Sequence, residues 1–283
     1  MRKLLKKAVH KVTPEKLTFA VRASAAYKER FGHYPNLLFP KTFNEKIQRR
    51  KALDRDPRLP LRADKVLVKQ FVAEKIGAEF VIPTLWHGPT LPPREERQWP
   101  RPFVIKANHA SGWNHFVRHE REHDWDRIEQ KASRWMDSTY GVYDGEWLYS
   151  KIEPQLIVEP FINEVAELPV DYKLWVFNGK VKLVQVDLDR EHGHKRVMFD
   201  RDWTRLDLRI GYESDDRHIE RPVSLDQMIA HAEALAEDLP FVRVDFYEIA
   251  GKPLFGEMTF YPDSGFEPIT PSSYNLELGS LLG

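Results

Sequence analysis

The sequence predicts an α+β fold, in which helices and antiparallel strands follow one another without regular alternation. Apolar residues at helical spacing dominate the chain up to about residue 76. Beyond it, two hairpin signals, Asn178-Gly179 and Ala250-Gly251-Lys252, each separate two segments in which apolar and polar residues alternate. A doubly wound parallel sheet would require strands and helices in strict alternation, and the pattern lacks it.

The elements follow from local signals taken in chain order. Helices are predicted over residues 14–31, 41–53 and 62–76, with Pro14 and Thr42 near two starts and Gly77 as a stop signal. Six prolines between residues 83 and 102 predict an irregular surface loop. The remaining predicted elements are strands at 80–82, 103–107, 155–159, 170–177, 180–188 and 195–199, helices at 125–138 and 224–238, and a hairpin at 241–260.

Composition excludes several classes of protein. The 283 residues suffice for about two domains or lobes. Forty-three basic residues balance forty-three acidic ones, which argues against a general nucleic-acid binder, because that function needs a positive excess. The absence of cysteine excludes disulfides, thiolate metal sites and a thiol nucleophile, and it is compatible with a reducing cytoplasm.

The first residues are strongly basic, and neither a membrane span nor a secretion signal is evident in the sequence. The basic residues precede the first acid, Glu15, and they are Arg2, Lys3, Lys6, Lys7 and Lys11. As a short amphipathic helix they could rest on an anionic membrane surface, although a plain solvated helix is the favoured interpretation. We therefore expect a cytoplasmic protein, with peripheral contact at the inner face of the membrane as an additional option.

Two acids on the 241–260 hairpin are the most informative feature of the sequence. If the hairpin turns at Gly251, strand pairing places Asp245 opposite Glu257, Arg243 opposite Thr259 and Tyr247 opposite Phe255. Opposed carboxylates repel, so a cation should lie between them. Mg²⁺, which takes one or two protein carboxylates together with phosphates, is one candidate. Neutralisation by Arg243 and a nearby lysine is the other.

A lysine, Lys106, ends the apolar strand 103–107 and precedes a small polar loop that contains Ser111 and Gly112. Such a lysine and the loop amides can hold phosphate. The two common glycine-rich phosphate-binding motifs are absent from the sequence. For this lysine alone, an ordinary strand end is the stronger interpretation.

The order of these motifs resembles the ATP-grasp superfamily and, from about Lys41 to the C-terminus, the TupA-like ATP-grasp proteins named for teichuronopeptide biosynthesis. The matching stretches are Lys41-Thr-Phe-Asn-Glu-Lys46, Ala63-Asp-Lys65, Ile105-Lys-Ala-Asn-His-Ala-Ser-Gly-Trp113, Asp171-Tyr-Lys-Leu-Trp-Val-Phe-Asn-Gly179, Arg243-Val-Asp245 and Gly256-Glu-Met-Thr259. The resemblance implies two α+β lobes with a nucleotide between them. We assign residues 1–60 to a helical N-terminal segment, 61–158 to the small lobe and 159–283 to the large lobe, which carries the metal-binding hairpin.

The resemblance also implies roles for individual residues, with ATP and Mg²⁺ as cofactors. Lys65 and Lys106 would hold the α- and β-phosphates, and Asp171 would bind the ribose. The residues that would close over the triphosphate are Ser111, Gly112, Trp113 and Asn114, and those of the adenine hinge are Glu159, Phe161 and Ile162. Asp245 and Glu257 would hold Mg²⁺, and Arg243 would act with Lys106 in phosphoryl transfer. Thr259 stands where many ATP-grasp ligases have asparagine, which leaves a second metal ion open.

The activity implied by the resemblance is ATP-dependent ligation of a carboxylate to an amine through an acylphosphate, on a small acid or a cell-surface polysaccharide precursor. A polysaccharide-synthesis partner could share the recognition of the acceptor. Four basic residues are candidates for binding the acid. The alternative is that they belong to an exposed polar strand and loop and are solvated. They are Lys173, Arg190, His194 and Arg196.

Other interpretations stay open at the level of sequence. Asp187-Leu-Asp189 has the form of a glycosyltransferase metal motif, although alternation along the strand also explains it. A nucleotide-binding module without turnover is a further alternative. Four histidines suggest a zinc site, but no matching carboxylate is evident, and scattered solvated histidines are favoured. They are His109, His115, His119 and His123.

Overall fold

The computed structural model describes residues 15–162 and 168–283. Its helices are α1 (Glu15–Phe31), α2 (Phe43–Leu53), α3 (Arg58–Ala63), α4 (Val68–Ile76), α5 (Trp125–Met136), α6 (Leu225–Ala236) and α7 (Ser272–Ser280). Its strands are β1 (Trp86–Gly88), β2 (Phe103–Ala107), β3 (Asn114–Val117), β4 (Leu156–Pro160), β5 (Asp171–Phe177), β6 (Lys180–Leu188), β7 (Lys195–Asp200), β8 (Arg209–Ile210), β9 (Phe241–Ile249), β10 (Lys252–Thr259) and β11 (Ile269–Thr270).

The strands form two main sheets, which confirms the α+β prediction. A small sheet has the order β1-β4-β2-β3, and a large sheet has the order β10-β9-β5-β6-β7. Strands β8 and β11 make a separate two-stranded ribbon. Every one of these strand pairs is antiparallel.

Helix α5 covers one face of the small sheet. Asp124 caps the helix, since its side chain accepts a hydrogen bond from the backbone N–H of Arg127. Ile128 and Trp135 of the helix pack in one core with Phe103 and Ile105 of β2. Because side chains alternate along a strand, the intervening Lys106 faces the other side of the sheet.

The N-terminal helices pack against the large sheet and share its core. Thr42 and Glu45 form a capping box at the start of α2, as expected for a helix near residue 41. Phe43 of α2 then inserts among the rings of the sheet, with centroids 5.2 Å from those of Trp175 and Phe241. The proposed division into an N-terminal segment and two lobes stays a prediction.

Several local predictions before residue 118 were wrong. The helix predicted over 62–76 is interrupted between α3 and α4, because Asp64 Oδ1 accepts from the N–H groups of Val66 and Leu67 and favours a turn. In place of the strand predicted over 80–82, a 3₁₀ helix covers Ala78–Phe80, and Val81 alone forms an isolated β-bridge with Phe255. The proline-rich loop contains β1, and β3 had not been predicted; strands this short show no usable periodicity.

The hairpin of β9 and β10 confirms the two pairings that matter for the site, Asp245 with Glu257 and Arg243 with Thr259. The pairing of Tyr247 with Phe255 was wrong, since Phe255 lies opposite Phe246. A bulge at Gly256 shifts the register by one residue. A side chain there would have its Cβ only 3.1 Å from the Asp245 carbonyl oxygen, so glycine suits this position.

The basic residues at positions 2–11 lie outside the described residues. Within the described ranges, 15–162 and 168–283, no helix has both the length and the apolar character that crossing a membrane requires.

Candidate active site

A cavity of about 470 Å³ lies between the small and large sheets. Its size is that of a typical small-molecule site. All of the predicted site residues line it, and they are Lys65, Lys106, Ser111, Gly112, Trp113, Asn114, Glu159, Phe161, Ile162, Asp171, Lys173, Arg190, His194, Arg196, Arg243, Asp245 and Glu257. Residues from distant parts of the sequence therefore meet in one place.

On the small-sheet wall, two lysines hold the buried carboxylate of Glu159. Lys106 Nζ lies 2.5 Å from Glu159 Oε2, and Lys69 Nζ lies 2.5 Å from Oε1. Burial opposes ionisation of Glu159, but the charges of Lys106 and Lys69 bring its pKa below the ordinary value. Glu159, assigned above to an adenine hinge, thus directs its carboxylate at lysines, while Phe161 and Ile162 supply partly exposed apolar surface beside it.

Lys69 was missed by the sequence analysis, and its contacts differ from those of Lys106. Besides Glu159, the Lys69 ammonium donates to the Ile82 carbonyl and to Thr84 Oγ1, each at 2.8 Å. All three of its N–H groups are therefore used within the protein. Lys106 has Glu159 as its one hydrogen-bond acceptor among the described residues, so two of its N–H groups remain for a ligand.

On the large-sheet wall, Lys173 lies between two buried acids. Its Nζ is 2.5 Å from Asp171 Oδ2 and 2.7 Å from Asp245 Oδ2. Burial alone would lower the pKa of Lys173, but the charges of Asp171 and Asp245 raise it above the ordinary value. Lys173 is only 8% exposed, so the alternative that it belongs to an exposed polar strand was wrong.

Asp245 and Glu257 are balanced by protein cations. Arg243 holds Asp245 through two bonds, Nε to Oδ1 at 2.7 Å and Nη2 to Oδ2 at 2.8 Å, and its Nη2 is 3.7 Å from Glu257 Oε1. Lys65 Nζ contacts Glu257 Oε2 at 3.1 Å. Burial would raise the pKa of Glu257, but Lys65, Lys173 and Arg243 together hold it well below its usual range.

The donor set of this pair is compatible with Mg²⁺. Asp245 and Glu257 lie opposite each other on the hairpin and supply the carboxylate oxygens that Mg²⁺ prefers, and nucleotide phosphates could complete its coordination. Within the described part of the chain, no group of three or more acidic, histidine or cysteine side chains is arranged to hold a metal ion. Thr259 accepts from Arg243 at 3.2 Å and donates to Glu257 at 3.3 Å, so its hydroxyl is already used.

The far end of the cavity is a second ionic network. Arg196, 3% exposed, lies 2.7 Å from Asp187 and 3.0 Å from Asp263. Arg190 donates to Asp171 at 3.1 Å and to the Pro169 carbonyl at 2.9 Å. Being buried, Arg196 is not part of an exposed strand, and the sequence alternative was wrong for it as well.

Two further residues of this end were missed by the sequence analysis. Tyr212 packs on the His194 ring with centroids 3.8 Å apart. Asp263 has a φ of 46°, and its neighbour Ser264 has one of 56°, both uncommon for residues other than glycine. Such a backbone costs energy and is concentrated at functional sites, but it has no signal in the sequence.

The Asp187–Asp189 motif does not form a metal site. Asp187, 2% exposed, bonds to Arg196, whereas Asp189 pairs with Arg217 at the surface. Burial opposes ionisation of Asp187, but His194 and Arg196 lower its pKa well below the usual range. The two carboxylates thus have separate cationic partners, which removes the geometric basis of the glycosyltransferase interpretation.

The histidines also have separate surroundings. His109 is buried, 1% exposed, and contacts the Asn108 side chain and the Ser138 carbonyl, so the expectation of a solvated side chain was wrong for it. His115 contacts the Glu122 carbonyl oxygen instead.

Comparison with protein families adds a decisive observation. The family model described as TupA-like ATPgrasp matches residues 45–283. The chain belongs to the TupA-like ATP-grasp family. The fold and family expected from the sequence motifs are thereby confirmed, and this TupA-like protein has the mixed helix and antiparallel sheet content expected of it.

Solved structures that resemble this TupA-like protein are ligases of low sequence identity. D-alanine–D-alanine ligase from Bacillus anthracis is 16% identical with a TM-score of 0.41, over 71% of this chain and 57% of that one. L-amino acid ligase from Bacillus licheniformis is 12% identical with a TM-score of 0.47, over 86% of this chain and 56% of that one. The chain thus spans little more than half the length of either enzyme. A comparison with curated protein sequences gave no match.

Proposed function

We propose that this TupA-like ATP-grasp protein binds Mg-ATP in the cavity between its sheets and uses it to join a carboxylate to an amine. The acid oxygen would attack the γ-phosphorus and release ADP; the amine would then attack the acylphosphate carbon and release phosphate. The observation that carries the proposal is the arrangement of Lys106 on one wall and the Asp245–Glu257 pair on the other. In this proposal residues 61–158 and 159–283 are the two lobes around the nucleotide, preceded by the helical segment 1–60.

The proposed nucleotide contacts involve polar groups whose hydrogen bonds are not all made within the described part of the protein. Lys106 keeps two N–H groups for phosphate, whereas Lys69 keeps none and instead holds Glu159 in place. Asp171 Oδ2 is used by Lys173 and Arg190, but its Oδ1 is buried without a hydrogen-bond partner among the described residues. A buried acceptor of this kind calls for a donor, and a ribose hydroxyl is a suitable one.

The metal and the transferred phosphoryl group would meet at the hairpin. Asp245 and Glu257 would hold Mg²⁺, which supplies positive charge to the phosphate oxygens when it is bound. Arg243 is fixed by both oxygens of Asp245, so it can stabilise the charge that develops in phosphoryl transfer without further reorganisation.

The acid substrate would bind at the Arg190, His194 and Arg196 end, beside Asp263. Arg196 is already held by Asp187, Asp263 and the Ile210 carbonyl, so Arg190 and His194 are the better candidates for direct contact with a carboxylate. A small acid or a polysaccharide-precursor acid, with its amine partner, is the substrate class we propose. The ligation would take place in the cytoplasm or at the inner face of the membrane, with a polysaccharide-synthesis protein as a candidate partner.

Calorimetric titration with Mg-ADP tests the nucleotide site, and the Lys106→Gln variant tests its location. Loss of a charged hydrogen bond to phosphate is worth about 1.5–3 kcal/mol, so we expect affinity to fall by roughly tenfold or more. Lys182→Gln, on an exposed position of β6, is the matched control and should bind like the original protein. Binding of a UDP-sugar but not of Mg-ADP would contradict the proposal. If Mg-ADP binds, screening acid and amine pairs for ADP release tests the ligase step.

A further inference from the structure

A second cavity, of about 440 Å³, lies beside α5 on the opposite side of the small sheet. We call it the α5 pocket, and its lining includes Trp113, His115, Arg127, Lys131, Arg134 and Trp135. Alternation along β3 separates the two cavities, because Asn114 and Phe116 line the nucleotide cavity while His115 faces the helix. The family resemblance and the proposed function assign no role to this pocket.

The α5 pocket carries positive charge that the described part of the protein does not balance. Arg127, Lys131 and Arg134 recur at helical spacing and so share one face of α5, over about 10 Å of its length. Lys131 donates to the Asn114 carbonyl at 2.8 Å, and Arg134 bonds to Gln130. Among the residues of 15–162 and 168–283, no carboxylate forms an ion pair with any of the three cations.

On the opposite edge of the same helix, arginines are neutralised by a carboxylate. There Arg94 and Arg97 both pair with Glu129 of α5. In the pocket, burial lowers the pKa of Lys131, and the neighbouring charges of Arg127 and Arg134 lower it further. Three like charges that repel one another in a concave site are a favourable setting for an anion, which would relieve that repulsion.

Aromatic surface borders these cations. The buried ring of Trp135 lies beneath them, since the Lys131 ammonium is 5.2 Å from its centroid. Trp113 supplies a second indole at the boundary with the nucleotide cavity, since it lines both cavities. A flat, partly exposed ring beside several cations suits a ligand that combines a ring face with charged groups.

We propose that the α5 pocket is a second ligand site, which takes a phosphorylated sugar with at least two negative charges. The arginines and the lysine would bind its phosphate oxygens, and the partly exposed indole of Trp113 would contact the sugar ring. Phosphate matches this donor set better than a single carboxylate does, because it offers three oxygens and nearly two charges to a row of cations. The size of the pocket accommodates a sugar with its phosphates.

Calorimetry with glucose 1,6-bisphosphate tests the proposal, with inorganic phosphate and glucose as comparison ligands. We expect the bisphosphate to bind at least tenfold more tightly than either comparison ligand. The double variant Arg127→Gln/Arg134→Gln should lose at least tenfold in affinity, while Arg121→Gln, an exposed arginine before α5, should lose none. Both substituted arginines are exposed, so the thermal midpoint of the double variant should match that of the original protein.

The outcomes that overturn the proposal are distinct. Absence of bisphosphate binding at 10 mM would remove the ligand class, as would equal affinity for inorganic phosphate. Unchanged affinity in the double variant would place the binding elsewhere on the protein. Because the titrations contain no nucleotide, each result is independent of whether Mg-ADP binds between the sheets.

Discussion

Replacing Lys173 with methionine tests the buried ionic network at the centre of the site. Lys173 lies in β5, is 8% exposed and contacts Asp171 and Asp245 at 2.5 and 2.7 Å. Methionine keeps an unbranched side chain of similar length but removes the ammonium. Two buried carboxylates then lose one cationic partner each, and we expect a large loss of stability.

The contacts set the size of this loss. A hydrogen bond to a charged group contributes about 1.5–3 kcal/mol, and two are removed. Each carboxylate keeps one cation, since Arg190 remains 3.1 Å from Asp171 and Arg243 remains bonded to both oxygens of Asp245. The lower end of the range therefore applies to each bond, which gives a decrease of about 3 kcal/mol in the free energy of unfolding.

Urea unfolding at pH 7 measures the change, provided that the transition has one step. Lys182→Met in the neighbouring strand is the control; that lysine is exposed, and its replacement should change stability by less than about 0.5 kcal/mol. The double variant Lys173→Met/Asp245→Asn should recover part of the loss, because one unpaired carboxylate is neutralised. A loss in Lys173→Met no larger than that of the control would refute the reasoning.

Two further predictions concern parts of the fold that support the site. Burial raises the pKa of Glu146 from 4.5 to about 7, although the charge of Lys51 acts to lower it. Between these pH values the folded state therefore binds more protons than the unfolded chain. As a result, the contribution of Glu146 to the free energy of unfolding falls as the pH rises through this window. In Glu146→Gln this decrease in the free energy of unfolding, at most about 3 kcal/mol, should disappear. Urea unfolding at pH 5 and pH 7 measures the decrease. A substitution that changes stability equally at both pH values would contradict the prediction. In Gly279→Ala the new Cβ would lie 2.1 Å from the Lys41 carbonyl, so we expect a loss near the upper end of about 1–3 kcal/mol. Gly251→Ala is the control, because its φ of 73° strains an alanine but no atom lies within 4 Å of the new Cβ. We expect its free energy of unfolding to fall by about 1 kcal/mol. Equal losses in the two variants would argue against overpacking at Gly279.

Local signals in the sequence were sufficient for the elements that depend on local forces. The capping box at Thr42 and the cap at Asp124 mark the starts of helices, and the turn at Gly251 defines the hairpin. The pairing of Asp245 with Glu257 was predicted from a period of two and a turn centred on Gly251. The turn instead pairs Ile249 with Lys252, and the bulge at Gly256 brings the predicted register back beyond it. The bulge at Gly256 was not predictable, since nothing in the alternation marks an extra residue.

Contacts between distant segments decided the rest of the site. Lys69 and Asp263 were not recognised because their roles depend on Glu159 and Arg196, which are distant in sequence and meet them only in the folded chain. Asp64 ended a predicted helix by binding two backbone N–H groups, a local competition that apolar spacing does not report.

By itself, the sequence determined the fold class, the family and the acidic pair on the hairpin, because short-range propensity, strand alternation and ordered motifs carry that information. The tertiary structure decided which cations are used within the protein and which remain for a ligand. It assigned Lys69 to Glu159, left Lys106 with free N–H groups and left the cations of α5 without carboxylate partners among the described residues. The physical reason is that an ion pair is defined by distances of a few ångströms between residues that are far apart along the chain.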